Sequence, residues 1–298
     1  MEKSRFSRRT SELLLAGVII ARATGYLFSK LGMTGLGIFN LLALRFLIAF
    51  VLLGAVFARR LFQIDRRSLR AGLIMGAMYF LVMTAELNGL KRTASSTVSF
   101  LENTAIVLVP LFAAVLSRRV PGKKAVVCAL VTLTGVGLLT LGGGVRFGLG
   151  EVFSIAAACL YAGAILATDR LTHRGEVDAL TAGIVQVATI GVLSLAASCM
   201  LETPRMPQGG VEWLSVLALA VVCSGFGFTL QPVAQAGTTA ERAGMFCALN
   251  PLVASVLGVV FLREHIGVQG IVGAALILAG IVLSYVRLPE RLPCGQPS

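Results

Sequence analysis

Charged residues are scarce in this sequence. Aspartate, glutamate, lysine and arginine make up 13% of the 298 residues, whereas hydrophobic residues make up 56%. A soluble domain has roughly one quarter charged residues. The longest polar stretches, residues 59–68, 168–178 and 202–212, are too short to fold alone. These shortages exclude a separate soluble domain. They also exclude nucleic acid as a partner, because no folded soluble surface carries the net charge of +12.

Histidines and cysteine pairs are scarce as well. The two histidines, His173 and His265, join no metal-ligand or nucleophile arrangement, and no CxxC motif occurs. Five of the six cysteines fall inside apolar segments, where they act as small apolar residues: Cys128, Cys159, Cys199, Cys223 and Cys247. We therefore expect neither a metal nor a cofactor.

Long apolar runs occupy most of the chain instead. A helix needs about 20 largely apolar residues to cross the hydrocarbon core of a bilayer. Ten windows of this kind occur, at residues 13–31, 36–58, 69–90, 94–117, 124–142, 149–168, 179–200, 212–236, 240–262 and 266–286. The sequence therefore predicts an all-α membrane protein with ten transmembrane helices.

The last apolar segment repeats an earlier one at an offset of 145 residues. The first copy contains Arg118, Gly122, Val127, Ala129, Leu133, Gly135 and Leu138, and the second contains Arg263, Gly267, Val272, Ala274, Leu278, Gly280 and Leu283. Such an offset indicates a duplicated unit. Because five helices is an odd number, the second copy enters the membrane the other way up. We expect two inverted five-helix repeats, at residues 13–142 and 149–287.

The distribution of basic residues predicts the orientation. With a cytoplasmic N-terminus, eighteen lysines and arginines fall on inner segments. Only six fall on outer segments: Lys30, Lys91, Arg92, Arg146, Arg205 and Arg263. Basic residues accumulate on the cytoplasmic side of membrane proteins, so we expect both termini in the cytoplasm of a bacterial-type inner membrane. The net positive charge is then mainly a topology signal, with some contact to anionic membrane lipids.

Short motifs in fixed order resemble a known family. Leu44-Arg45-Phe46 lies in the second predicted helix, while Asn250-Pro251, Arg263-Glu264 and Gln269-Gly270 lie around the ninth and tenth. With ten spans in two inverted halves, residues 13–287 resemble the EamA-type members of the drug/metabolite transporter superfamily. The resemblance implies a secondary active transporter, often an exporter, of small metabolites such as amino acids. It implies alternating access to a central cavity between the halves, and no enzymatic activity.

Ionisable and polar residues inside the predicted helices are the candidate site. Charges in the hydrocarbon zone usually face a cavity or a partner, and Arg22, Arg45, Glu86 and Glu102 are of this kind. Adding 145 to Glu86 gives Gln231, so both halves place a polar residue there. The predicted substrate-binding residues are Arg22, Tyr79, Glu86, Glu102, Asn103, Tyr161, Gln231 and Asn250.

Two of these residues, Glu86 and Glu102, are candidates for proton coupling. Desolvation favours the neutral form of a buried carboxyl group, so either one is able to take up a proton during transport. The alternative is structural: Arg22 or Arg45 pairs with one of the glutamates and only holds helices together.

Prolines, aromatic residues and glycines have competing interpretations. Pro232 and Pro251 free backbone carbonyls that either line the pathway or merely mark helix kinks. Five aromatic residues wall the cavity or pack the core: Tyr79, Phe80, Tyr161, Phe226 and Phe228. Gly72 and Gly76 have the spacing that lets a second helix approach closely.

One motif suggests an enzyme instead. His173 and Asp178 have the His-x4-Asp spacing that resembles glycerolipid acyltransferases, in which the aspartate orients a histidine base. The alternative function is therefore a membrane-embedded acyltransferase. The other sequence blocks of that family do not accompany the motif.

Overall fold

The computed structural model describes residues 8–93, 95–118, 122–140, 148–172, 177–253 and 267–285. Over these residues the regular structure is entirely helical. The helices are α1 (Arg8–Ala23), α2 (Gly25–Gly32), α3 (Ile38–Phe62), α4 (Arg66–Arg92), α5 (Ser95–Asn103), α6 (Ala105–Ser117), α7 (Lys123–Thr140), α8 (Leu149–Thr172), α9 (Ala179–Leu201), α10 (Gly210–Ala218), a π-helix (Leu219–Phe228), α11 (Thr229–Gln235), α12 (Ala240–Phe246) and a last helix, Val268–Tyr285.

Among the described residues, seven helical stretches are long and apolar enough to cross a membrane. They are Arg9–Gly32, Ile38–Phe62, Arg66–Arg92, Thr97–Ser117, Leu149–Thr172, Ala179–Leu201 and Gly210–Gln235. Two shorter apolar helices, Val126–Leu138 and Val268–Leu283, fall in the fifth and tenth predicted windows. The ninth window, 240–262, begins with α12 and helical residues 249–253, and its remainder lies outside the described residues.

Two predicted helices contain an interruption that the sequence analysis missed. The first and fourth windows are each divided at one threonine, Thr24 and Thr104. Both threonines keep right-handed helical backbone angles, and each hydroxyl donates to the carbonyl three residues earlier, at 2.7 and 2.6 Å. Such side-chain bonds compete with the backbone ladder and bend helices. The charged residues Arg22 and Glu102 each lie two residues before one of these threonines.

The eighth predicted helix is also irregular. Its middle third, Leu219–Phe228, is a π-helix, flanked by α10 and α11. Pro232 in α11 has no amide hydrogen, so the carbonyl of Phe228 four residues earlier loses its helical donor. The side-chain amide of Gln186 in α9 donates to that carbonyl at 3.4 Å. The freed carbonyl is therefore bound by a side chain of a neighbouring helix.

Glycines bring α4 and α9 into direct contact. A Cβ atom at Gly72 would lie 2.5 Å from the Cβ of Val185, and one at Gly76 would lie 2.5 Å from the Cβ of Thr189. The close approach predicted for these glycines is confirmed. Moving four residues along α4, from Gly72 to Gly76, moves the contact four residues forward along α9, from Val185 to Thr189. The two helices therefore run parallel.

Similar contacts define the directions of other helices. A Cβ at Gly89 would meet the Ser154 hydroxyl oxygen at 2.6 Å, and one at Gly163 would lie 3.6 Å from the methyl carbon of Met78. The later residue of α4, Gly89, thus contacts the earlier residue of α8, Ser154. These two helices are therefore antiparallel. The same reversal relates α1–α2 to the π-helix, because Gly25 faces Cys223 and Gly227 faces Arg22.

The helices at the ends of the two sequence repeats contact each other reciprocally. A Cβ at Gly135 in α7 would lie 2.7 Å from the carbonyl oxygen of Gly273, and one at Gly280 would lie 3.2 Å from that of Cys128. Gly280 and Gly273 are the residues 145 positions after Gly135 and Cys128. Each repeat thus makes the same contact with the other, as in a twofold-symmetric interface. The order of the contacts is reversed, so the two helices are antiparallel.

Polar contacts at one end of the helices join segments that were predicted to share the inner side. Arg60 pairs with Asp178 at 3.2 Å, and the Asp178 backbone amide donates to the Ser68 hydroxyl. Arg242 pairs with Glu12 at 2.8 Å.

The opposite end is held by residues of the predicted outer loops. The carboxylate of Glu202 accepts hydrogen bonds from the first amides of α3, including that of Asn40 at 2.9 Å. Arg205 donates to the carbonyl of Gly35 and pairs with Glu212 at 3.0 Å. The structure therefore groups the loops into the two sets that the charge distribution predicts.

Cysteine labelling tests this grouping and its orientation. Gln63 and Gln208 are exposed at opposite ends, so Gln208→Cys should react with an impermeant maleimide on intact cells or spheroplasts. Gln63→Cys should react only after permeabilisation. The unaltered chain measures the background from native cysteines. Labelling of both variants from the same side would contradict the two-ended arrangement, and reversed labelling would contradict the cytoplasmic N-terminus.

Candidate functional site

A small polar cavity lies where helices from both sequence repeats meet. Its free volume is about 20 Å³, which suffices for about one water molecule. The lining residues come from α1–α5, from the π-helix and from the segment after α12: Arg22, Gly25, Tyr26, Ser29, Arg45, Met83, Glu86, Glu102, Cys223, Phe228 and Asn250. Two arginines and two glutamates therefore share one enclosed space.

Arg22 extends from the last turn of α1 across the π-helix. Gly227 gives it room, since a Cβ there would lie 2.8 Å from the Arg22 Cγ. One guanidinium nitrogen, Nη1, donates to the hydroxyl of Tyr161 at 2.9 Å and to the side-chain oxygen of Gln231 at 2.8 Å. The amide of Gln231 in turn donates to the hydroxyl of Tyr79 at 2.6 Å. These bonds connect α1, α4, α8 and α11.

Aromatic rings surround the same guanidinium. Its central carbon lies 4.4 Å from the ring centroid of Phe228 and 5.2 Å from that of Tyr161. Phe228 also meets Tyr79 edge-on at 5.6 Å, and Tyr79 meets Tyr161 at 6.1 Å. Positioned over ring faces, a cation is stabilised without a counter-ion, more so when water is excluded. The aromatic rings thus stabilise the Arg22 guanidinium without contributing a negative charge.

Arg45 is more deeply buried than Arg22 but is weakly bound. Its side chain is 3% exposed. It donates to the hydroxyl of Ser224 at 3.2 Å, to that of Ser29 at a long 3.5 Å, and to the sulfur of Met83 at 3.7 Å. None of these acceptors is charged, whereas a guanidinium binds carboxylates in bidentate geometry. Arg45 therefore has spare capacity to bind an anion.

The two carboxyl groups are satisfied to different degrees. Glu102, 4% exposed, accepts a hydrogen bond from the hydroxyl of Tyr26. One side-chain oxygen of Glu86 is buried without a donor, as is the amide oxygen of Asn250. Buried acceptors without donors are uncommon and destabilising. Both residues line the cavity, so a water molecule or a ligand there would supply the hydrogen-bond donors that they lack.

No salt bridge joins these arginines and glutamates within the described part of the chain. The alternative in which one arginine pairs with one glutamate to hold helices together is not the arrangement seen. Arg22 and Arg45 bind neutral oxygens and rings, and Glu102 binds a tyrosine hydroxyl. All four side chains line the cavity.

Most of the predicted site residues come together. Four line the cavity: Arg22, Glu86, Glu102 and Asn250. Three more are linked to Arg22 by hydrogen bonds: Tyr79, Tyr161 and Gln231. Asn103 does not line the cavity, because its amide donates to the Ser99 carbonyl one turn earlier in α5.

Two predicted wall residues point elsewhere. Phe226 is 43% exposed, and Phe80 packs against Phe39 at 6.3 Å instead of facing the cavity. Phe226 and Phe228 are two residues apart, so they point to nearly opposite sides of their helix, and only Phe228 lines the cavity.

The sequence analysis missed some lining residues that it had the means to find. Tyr26 and Ser29 follow Arg22 by four and seven residues, so they occupy the same helix face. Ser224, the main partner of Arg45, lies 145 residues after Tyr79 and is its counterpart in the second repeat. Met83 precedes Glu86 by three residues and so shares its face of α4, whereas Cys223 lacks a signal of this kind.

The residues proposed for an acyltransferase do not form a described site. His173 lies outside the described residues. Asp178 caps α9 by accepting from the Leu180 amide at 3.2 Å, and it pairs with Arg60. These structural bonds account for the aspartate without a catalytic role.

Comparison with known proteins gives consistent results. The model of the EamA-like transporter family matches residues 9–141 and again residues 148–286. An uncharacterized transporter of Archaeoglobus fulgidus is 26% identical over 285 residues, which cover 93% of this chain and 98% of that protein. A protein crystal structure with 22% identity has a TM-score of 0.77 and covers 94% of this chain and 97% of its own, so the two share a fold.

The hydrogen bonds that join Arg22, Gln231 and the two tyrosines form a network. Substitutions within this network should therefore have non-additive effects on stability. Gln231→Leu removes the bonds to Arg22 and Tyr79 and should destabilise the protein by about 1–3 kcal/mol, because buried polar groups lose their partners. Arg22→Leu combined with Gln231→Leu should lose less than the sum of the two single changes. Thermal unfolding in detergent measures both. Gln269→Leu, at an exposed position, is the control, and strict additivity would contradict the network.

Proposed function

Because the chain belongs to the EamA-like transporter family, and is a multi-pass membrane transporter, we propose that it carries small zwitterionic metabolites such as amino acids. The proposal extends to secondary active transport by alternating access, with export as the direction that the family resemblance suggests. One observation carries it: two arginines and two glutamates face a shared cavity without pairing to each other.

The charges in the cavity suit a ligand with both signs. Arg45 has only neutral acceptors around it, so a substrate carboxylate would supply the bidentate partner that it lacks. Glu86 has a buried oxygen without a donor, and a substrate ammonium group would donate to it. A ligand of one sign would satisfy only one of these groups, which is why we favour a zwitterion.

The helix arrangement supports an inverted duplication. Residues 13–142 and 149–287 would be the two repeats, and the reciprocal contacts of Gly135 and Gly280 fit a twofold axis between them. The relative directions of α4, α8 and α9 fit ten helices that cross the membrane alternately. In such transporters one half moves against the other around a site near the midplane. Charge distribution places both termini in the cytoplasm of a bacterial-type inner membrane.

Access to the cavity would alternate between its two ends. The ion pair of Arg242 with Glu12 would close the predicted inner end, and the contacts of Arg205 with Glu212 and Gly35 would close the outer end. A free volume of about 20 Å³ is too small for an amino acid. Loading a substrate therefore requires one of these ends to open and the lining side chains to separate.

Transport of zwitterions in liposomes tests the proposal. Purified protein should exchange a labelled amino acid, and it should discriminate against the matching amine, which lacks the carboxylate. Arg45→Gln should raise the KM for the amino acid by about tenfold or more, since a hydrogen bond to a charged group contributes about 1.5–3 kcal/mol. The same variant should lose the preference over the amine.

Two controls separate the alternatives. Arg59→Gln removes an exposed arginine from the end of α3 and should leave the KM unchanged. His173→Ala should leave exchange intact, whereas a membrane acyltransferase would lose its activity. Equal exchange of the amino acid and the matching amine would contradict a zwitterion site that depends on Arg45. An Arg45→Gln variant with an unaltered KM would contradict it as well.

Proton coupling is the second part of the proposal. Glu102, hydrogen-bonded to Tyr26, and Glu86 would exchange protons with the cavity as it opens to each side. Glu102→Gln mimics the protonated form permanently. It should keep substrate exchange at zero gradient but abolish uptake driven by an imposed pH gradient, both measured with labelled amino acid.

The exposed Glu241→Gln variant should behave as the unaltered protein. A Glu102→Gln carrier that still responds fully to the pH gradient would exclude Glu102 as the coupling group. The same assay on Glu86→Gln then assigns or excludes the second carboxyl.

A further inference from the structure

A second cavity lies on the outer surface of the helices, away from the polar site. It is a groove of about 420 Å³ between α4, α6 and α8. The lining is apolar except at one end: Ile74, Phe112, Val115, Leu116, Gly163, Leu166, Ala167, Arg170 and Leu171. Gly163 deepens the groove, because its position has no side chain. In a membrane-spanning protein this surface faces the hydrocarbon region.

Each of the three helices that form the groove has an arginine in it or just after it near the same end. Arg170 is itself part of the lining. Arg70 lies four residues before Ile74 on α4, and Arg118 lies three residues after Val115 at the end of α6. All three are exposed, and no ion pair or hydrogen bond of their side chains is recorded within the described chain. Asp169, the adjacent carboxylate, already has an interaction of its own.

We propose that this groove binds one acyl chain of an anionic phospholipid, with the phosphate-bearing headgroup held by Arg70, Arg118 and Arg170. The apolar walls match a hydrocarbon chain, and guanidinium groups bind phosphate strongly. The arginines belong to the predicted cytoplasmic end, so the lipid lies in the leaflet where anionic headgroups attract basic residues.

Other occupants fit the groove less well. A transmembrane helix of a partner is about 10 Å across and requires a broader surface than a groove of this volume. An extended peptide would leave its backbone amides and carbonyls without partners on apolar walls. A zwitterionic phospholipid fits the walls but has no net charge to match three arginines. An anionic phospholipid satisfies both parts of the site.

Photo-crosslinking in nanodiscs tests this binding without reference to transport. Phosphatidylglycerol and phosphatidylcholine, each with a diazirine in one acyl chain, are compared in an otherwise identical bilayer. Crosslinks are located by mass spectrometry of peptides. For the unaltered protein, phosphatidylglycerol should label the peptides of Phe112, Leu116 and Leu171 at least about fivefold more than phosphatidylcholine, since one basic residue near anionic headgroups contributes about this factor.

Two variants separate the walls from the headgroup site. Ala167→Trp fills the groove and should abolish labelling there by both lipids, while Val192→Trp, at a lipid-facing position of α9 outside the groove, should not. The combined Arg70→Gln, Arg118→Gln and Arg170→Gln variant should label equally with both lipids. Arg59→Gln, at the same end but on α3, should keep the preference. If the triple variant is not monodisperse in size-exclusion chromatography, Arg170→Gln alone replaces it and should reduce the preference.

Equal labelling by the two lipids in the unaltered protein would overturn the headgroup assignment. Labelling spread evenly over all lipid-facing helices, or unchanged by Ala167→Trp, would overturn the groove as a binding site.

Discussion

Arg22 carries a positive charge into the interior of the helix bundle, and the surrounding structure is arranged to stabilise it. The guanidinium receives no carboxylate; instead it donates to Tyr161 and Gln231 and lies over the ring of Phe228. These partners belong to three different segments of the second sequence repeat. Since a buried charge without partners is very unfavourable, these contacts stabilise the packing of α1 against the second repeat in this conformation.

Neutral partners for Arg22 and Arg45 have a functional consequence. If each arginine were paired with a glutamate, the cavity would be electrostatically complete, and a substrate would have to break an ion pair before binding. Instead, Arg45 contacts hydroxyls, a thioether and the ring of Phe46, all of them neutral, and Glu86 has an oxygen without a donor. Incomplete satisfaction is unfavourable for stability alone, but it suits a site that must bind and release a ligand of mixed charge.

Helix irregularities next to the cavity belong to the same arrangement. Thr24 and Thr104 interrupt their helices just after a charged residue, and the π-helix contains Phe228 and Ser224, which contact the arginines. Helix irregularities of this sort are tolerated inside a membrane where neighbouring groups satisfy the freed backbone. Gln186 does so for the carbonyl released by Pro232. The irregular segments therefore lie at the cavity, while α4 and α9 remain regular.

The sequence by itself determined the apolar helices, the duplication, the glycine contacts of α4 and most of the charged site residues, because these depend on composition, spacing and the high energy of buried charge. Only the tertiary structure decided which groups are partners. Asn103 donates to its own helix, Phe226 is exposed and Arg45 donates to Ser224 in the second repeat. These partners depend on which distant segments pack against each other, which local spacing does not encode.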